Sequence, residues 1–275
     1  MVKTKRMRGL FTLPYISWSL IFIVVPLLMI FWYGFTDKSG TFTMENITAM
    51  ADLIHAKALW LSVLLSLASS VICLLLAYPL SMILAARGEK GRSVIVMLFI
   101  LPMWMNTLLR TMAWQTILEK TGILNTILQA LHLQPLQIIN TPYAIILGMV
   151  YNFLPFMILP IYNVLVKIDP SVINAARDLG ANAFQTFLRI TLPLSVPGIM
   201  SGITMVFIPA LTTFVISQLL GGSKILLIGN VIEQEFTQAY DWHLGSGLSI
   251  ILMIFIILNM IMEEIFDKNG EDLAI

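Results

Sequence analysis

Histidine pairs, cysteine clusters, paired carboxylates and glycine-rich phosphate loops carry most protein chemistry, and this 275-residue chain arranges none of them productively. His55, His132 and His243 lie far apart in sequence and make no metal-ligand spacing. Cys73 is the only cysteine, sits in an apolar run and cannot form a disulfide within the chain. Gly88-Glu89-Lys90-Gly91-Arg92-Ser93 lacks the spacing of a phosphate-binding loop, and no Gly-x-Ser-x-Gly elbow occurs. No Asp, Glu, Lys or Arg falls near the middle of any long apolar run, where ion-coupled pumps keep carboxylates. Uphill work attributed to this chain would therefore need its energy from another protein. The net charge of +1 gives no reason to expect a nucleic-acid partner.

The segment suited to receiving that energy is 167–192. Asp169 can cap a helix that opens on Pro170. Val172, Ile173, Ala176 and Leu179 follow on one side at helical spacing, and Gly180 can adopt the left-handed conformation that ends a helix. A second helix starts near Asn182 and carries Phe184, Phe187, Leu188 and Ile190 towards the membrane. Small Ala175 and Ala176 would let another protein approach closely. The spacing alone is equally compatible with a plain amphipathic loop.

The elements that would hold this elbow are membrane helices. Residues are 58% hydrophobic and 11% charged, against about 25% charged in a soluble domain. Apolar runs long enough to cross hydrocarbon predict an all-α polytopic membrane protein. About six spans are expected, near 10–35, 58–86, 93–113, 142–166, 193–220 and 244–263, with a surface helix at 122–133. The first run is too long for a signal-peptide core and ends in aromatic Phe31, Trp32, Tyr33 and Phe35, so it reads as a retained helix. Lys3, Lys5, Arg6, Arg8, Arg87, Lys90, Arg92, Lys167, Arg177, Arg189 and Lys268 share one side of this topology. The positive-inside rule makes that side, with both termini, cytoplasmic. Arg110 is expected near the outer interface, where its long stem can snorkel and a packing or salt-bridge role suits it. Prolines inside the runs (Pro26, Pro79, Pro102, Pro155, Pro160, Pro197 and Pro209) suit helices that bend around a cavity. No internal repeat supports an inverted-repeat secondary carrier.

Asn174-Ala175-Ala176, Gly180, Ile190, Leu192 and Pro193 resemble the EAA loop of ABC importer permeases, E-A-A-x3-G-x9-I-x-L-P, with Asn174 in place of the glutamate. Leu101-Pro102-Met103-Trp104, Leu109-Arg110, Gly122-Ile123-Leu124-Asn125 and Gly221-Gly222-Ser223-Lys224 resemble permeases of the spermidine/putrescine (PotB) type. Ile228 to Phe236 and Asp241-Trp242 with Gly245, Ser246 and Ser249 continue the likeness. The resemblance implies a type I importer permease with the MetI-like fold, a single domain over 1–275 with its core about 57–262, in the bacterial inner membrane. Residues 167–192 become the cytoplasmic coupling loop, in which Asn174, Ala175, Ala176, Arg177, Asp178 and Gly180 meet the ATPase. The implied partners are a second homologous permease (PotC-like), an ATPase dimer (PotA-like) that uses ATP and Mg, and an extracytoplasmic polyamine-binding protein (PotD-like). The chain itself needs no cofactor or metal beyond surrounding lipid. Permeases for other small cationic or amino-acid-like solutes share parts of these motifs.

A polyamine would be held by carboxylates, hydroxyl- or carbonyl-rich walls and aromatic faces. Thr213 and Ser217 are expected on one face of the fifth span, with Phe214 and Gln218 on the adjacent one. Trp104, Asn106, Tyr151 and Asn152 are further candidates. Most such polar groups serve as glue between helices, and that reading stands beside the pore-lining one. Pro209, Thr213, Ser217 and Gly221 could form a small-residue packing stripe, and Gly198-x3-Gly202 a close helix contact. Glu233, Glu235 and Asp241 could greet a cation at the outer mouth or simply lie in a solvated loop. The rivals from other classes are an ion-coupled carrier and a membrane-embedded enzyme. The first lacks intramembrane carboxylates and the second lacks a catalytic constellation.

Overall fold

The computed structural model describes residues 14–86, 97, 99 and 101–272, and among them the chain is helical with one isolated β-bridge, Thr36 to Phe42. In chain order the elements are α1 Pro14–Gly34, α2 Leu53–Ala85, α3 Thr107–Leu118, α4 Ile123–Ala130, α5 Pro142–Leu165 and α6 Pro170–Asp178. They continue with α7 Ala183–Thr212, α8 Val215–Gly221, α9 Ile228–Gln234 and α10 Trp242–Asp272. Five of the described helices (α1, α2, α5, α7 and α10) are long and apolar enough to cross a bilayer.

The expected third and fifth spans differ from single rods. Residues 93–96, 98 and 100 of the third lie outside the described residues, as do Arg87, Lys90 and Arg92. Its described part is a 3-10 turn at Leu101–Trp104, a break, then α3. Pro102 lacks an amide donor, and the extended Asn106 caps the new helix by accepting from the Leu108 amide at 2.8 Å. The fifth span divides at Thr213 and Phe214. The surface helix forms as expected, with Ile123, Ile127 and Leu131 exposed along one stripe and Asn125 buried.

The chain divides into two compact units. One comprises residues 1–56 and 231–255. Here Gly34 lets α1 approach Ile250, and Gly247 sits where a Cβ would lie 2.5 Å from the Asn46 carbonyl oxygen. Asn46 donates to the Thr36 carbonyl at 2.9 Å, and the His243 ring meets the same oxygen at 2.6 Å. Asp37 closes the turn after α1, accepting from the hydroxyl and amide of both Ser39 and Thr41. These bonds, led by the Ser39 and Thr41 hydroxyls, hold its carboxyl well below the usual carboxylate range.

The other unit, residues 57–230 and 256–275, is organised by α5 lying along α7. Gly198 and Gly202 make that approach possible: a Cβ at Gly198 would lie 2.9 Å from the Pro160 carbonyl, and one at Gly202 2.7 Å from Met157 Sδ. The Gly-x3-Gly stretch is thus a helix contact. Interhelical hydrogen bonds add to it, Ser81 donating to the Ile158 carbonyl at 3.2 Å and Tyr78 meeting Ser195 at 2.7 Å. Cys73 is fully buried against α5.

Candidate functional site

Two places carry the groups that the sequence singled out. The first is the elbow around α6. Asp169 is its N-cap, accepting from the Ser171 amide at 2.8 Å, and Pro170 opens the helix. That amide bond, with the Ser171 hydroxyl, holds the Asp169 carboxyl below its ordinary range. The helix closes on Gly180 at φ +84°. The Gly180 amide bonds to the Arg177 carbonyl at 2.9 Å and the Ala181 amide to the Ala176 carbonyl at 3.0 Å. This paired closure fixes the turn without side-chain help. Two residues on, Asn182 and Gln185 cap the next helix reciprocally at 2.8 and 3.0 Å. Only one residue, Ala181, separates the two caps, so the elbow is tightly specified.

The stripe expected on α6 is divided. Ala176 is buried and Ile173 half-buried, but Val172 is 43% and Leu179 89% exposed, because Leu179 falls at the C-cap, where the helical period has ended. Asn174, Ala175, Arg177, Asp178 and Gly180 are exposed as well. The elbow therefore presents Leu179 and Phe184 outward with small and polar residues between them. Behind it, Met82, Leu165, Ile173, Arg177, Thr186 and Phe187 help to line a cavity of about 480 Å³.

The second place is the gap between α7 and α8. Thr213 is extended (ψ 137°) and Phe214 leaves the helical region (φ −121°), so the expected common face of Thr213 and Ser217 is not formed. Asn230 stabilises the gap. Its Nδ2 donates to the Phe214 carbonyl at 3.1 Å, and its Oδ1 accepts from the Leu227 amide at 3.2 Å and meets the Ser217 hydroxyl. Gly229 lets the chain press against the gap, since a Cβ there would lie 2.6 and 2.9 Å from the Thr212 and Thr213 carbonyls. Ser62 steadies the start of α9 by accepting from the Ile228 amide at 2.8 Å. Broken helices at membrane depth offer backbone polar groups to a path only where protein or water satisfies the rest, and here Asn230 does so.

The remaining candidates separate by burial. Trp104 is 76% exposed, Asn106 is exposed at its cap, Phe214 is 39% exposed and Gln218 is exposed. Tyr151 is partly exposed, its ring edge-on to Trp114 at 5.2 Å. Asn152 and Ser217 are buried, Asn152 donating to the Gly148 carbonyl at 2.8 Å. Asp241 pairs with Lys38 at 3.1 Å and accepts from the Leu244 amide at 3.1 Å. Burial alone would raise its pKa, but those bonds outweigh burial and leave it below the usual range. Glu233 accepts from Thr237 at 3.0 Å, and the carbonyl of Glu235 accepts the Asp241 amide at 2.9 Å.

Sequence reasoning missed Asn230, Gly229 and Ser62 as site builders. Their signals were polarity, a Gly-Asn pair and a serine standing among apolar residues, and for Gly229 and Asn230 a place in the Ile228 to Phe236 stretch that carries the family likeness. Arg110 is 94% buried, because the inward face of α3, with Thr111, Trp114 and Leu118, packs on α8 and α5.

Comparison with known proteins fits this geometry. Residues 77–269 match the family described as binding-protein-dependent transport system inner membrane component. The spermidine/putrescine transport system permease protein PotB of Haemophilus influenzae is 40% identical over 250 residues, covering 88% of this chain and 87% of that one. The protein of the same description from Salmonella typhimurium strain SL1344 is 37% identical over 286 residues, covering all of both chains. A chain of the bacterial alginate ABC transporter, solved with its alginate-bound periplasmic protein, superposes with a TM-score of 0.80. That match covers 95% of this chain and 94% of the other at 19% identity, a likeness of fold.

Proposed function

This chain belongs to the family of binding-protein-dependent transport system inner membrane components, and from that premise we propose that it is the permease subunit of an ATP-driven polyamine importer, forming half of the translocation path. Spermidine and putrescine are the cargo named for relatives that align with most or all of the chain. The observation that carries the mechanism is the mechanical continuity from elbow to gap. The elbow is capped on both sides, and α7 runs from it for 30 residues, about 45 Å, to the break at Thr213 and Phe214. A partner ATPase that binds ATP and Mg and closes beneath Asn174, Ala175, Ala176, Arg177, Asp178 and Gly180 would push α7 from its cytoplasmic end, through the wider π-turn at Phe187–Thr191. The displacement would be felt at the break.

In this reading Trp104, Phe214 and Tyr151 offer aromatic faces to a flexible cation, and Asn106, Thr213 and Gln218 offer dipoles. Asn152 and Ser217 act from behind by shaping the wall. Glu233, Glu235 and Asp241 make the outer mouth mildly acidic for cargo delivered by a polyamine-binding protein. A second, homologous permease completes the path. The test is reconstitution of the chain with its co-expressed neighbours in proteoliposomes. Spermidine or putrescine uptake must require ATP and the ATPase. Uptake driven by an ion gradient alone would refute the reading, and ATP-driven uptake of a different small cation would correct its cargo.

A further inference from the structure

We infer that Arg110 is the receptor for a carboxylate supplied by the second permease subunit, so that the two halves of the path are joined by a membrane-buried ion pair. Arg110 is 6% exposed, and its Nε and Nη1 have no hydrogen-bond partner among the described residues. Its Nη2 has only the Thr107 hydroxyl, at 3.3 Å. A guanidinium cannot shed its proton within a protein, so burial must be met by an anion. The position sharpens the demand. Arg110 lies in the opening turn of α3, where free amides add positive potential. It is eight residues, about 12 Å, from Leu118 at the other end of α3, and helical side chains tilt towards the N-terminus. The guanidinium therefore points away from the end that leads to Glu119 and Lys120, and a headgroup phosphate at that end is poorly placed to reach it. No described residue of this chain pairs with it. Around it in sequence, Trp104, Met105, Leu108, Leu109 and Met112 are exposed, an apolar rim suited to another membrane helix. Met105 and Met112 are unbranched and adaptable, so the rim can part when that helix docks. A countercharge here also removes a positive barrier that a cationic cargo would otherwise meet.

The inference rests on the proposed two-permease architecture, and the test separates the two. The complete transporter is purified and its subunits counted by mass spectrometry, then reconstituted for ATP-driven spermidine uptake. Arg110→Met leaves the partner's carboxylate buried and alone, so recovered complex and uptake fall by about tenfold or more. Arg110→Met is then combined, one at a time, with Asp→Asn or Glu→Gln at each carboxylate in the partner's membrane helices. One double variant restores assembly and uptake to near the parental level. Failure of every double variant in an intact two-permease complex overturns the ion pair alone, as does an Arg110→Met single variant that assembles and transports normally. A complex with no second kind of permease overturns the architecture and the pair with it. Loss confined to vesicles containing anionic lipid assigns the countercharge to headgroup phosphate and also overturns the proposal.

Discussion

Asn230 shows how much one side chain can hold in a low-dielectric interior. It ties the end of the broken helix to the start of α9 through both its donor and its acceptor. Asn230→Ala leaves the buried Leu227 amide without its partner, at about 1–3 kcal/mol, while the Phe214 carbonyl keeps the Gln218 amide at 2.9 Å and the Ser217 hydroxyl at 3.0 Å. Thermal unfolding in detergent should show a clear drop. Ser217→Ala should cost less, about 1 kcal/mol, because the Phe214 carbonyl keeps Asn230 Nδ2 and Asn230 Oδ1 keeps the Leu227 amide. Asp37 gives a pH prediction at the same scale. Its pKa is lowered on folding, so the stabilisation it gives the turn is complete above the unfolded value, near 3.9. That stabilisation is lost only as pH falls through the lower folded value. Hydrogen exchange at Ser39 and Thr41 should therefore keep its protection down to about pH 4. Asp37→Asn should weaken that protection at every pH.

Among the elements, the spans are legible because length and hydropathy act locally. α2 and α5 fall within a few residues of expectation, and the cap-to-cap design of the elbow could be read from Asp169, Pro170, Gly180 and Asn182. The gap after α7 could not. Pro209 sits inside α7 without ending it, while the actual break at Thr213 and Phe214 carries no proline. It is braced by Asn230, sixteen residues on, which only tertiary packing brings near. Gly180 supplies the element-scale prediction. Its φ of +84° strains any β-branched residue, so Gly180→Val should distort the elbow while leaving the spans folded. If the elbow couples hydrolysis to transport, ATP turnover should persist while uptake falls by about tenfold or more. Normal uptake by this variant would deny the elbow that role.

The whole molecule has a sidedness that can be read chemically. Cys73 is fully buried, so an impermeant thiol reagent should leave the parental chain unlabelled. Asn174→Cys should then react only from the cytoplasmic side and Ser39→Cys only from the outside, and the reverse pattern would invert the topology. A different consequence follows from α1, whose best membrane window contains no buried residue while Gly34, at its end, is closely packed. Wherever that surface meets only acyl chains, selection reads oiliness and not identity. Leu, Ile, Val, Phe and Met can then replace one another freely over generations, with Gly34 as the fixed peg. Comparing lineages, this helix would be the passage whose spelling drifts while its meaning stays the same.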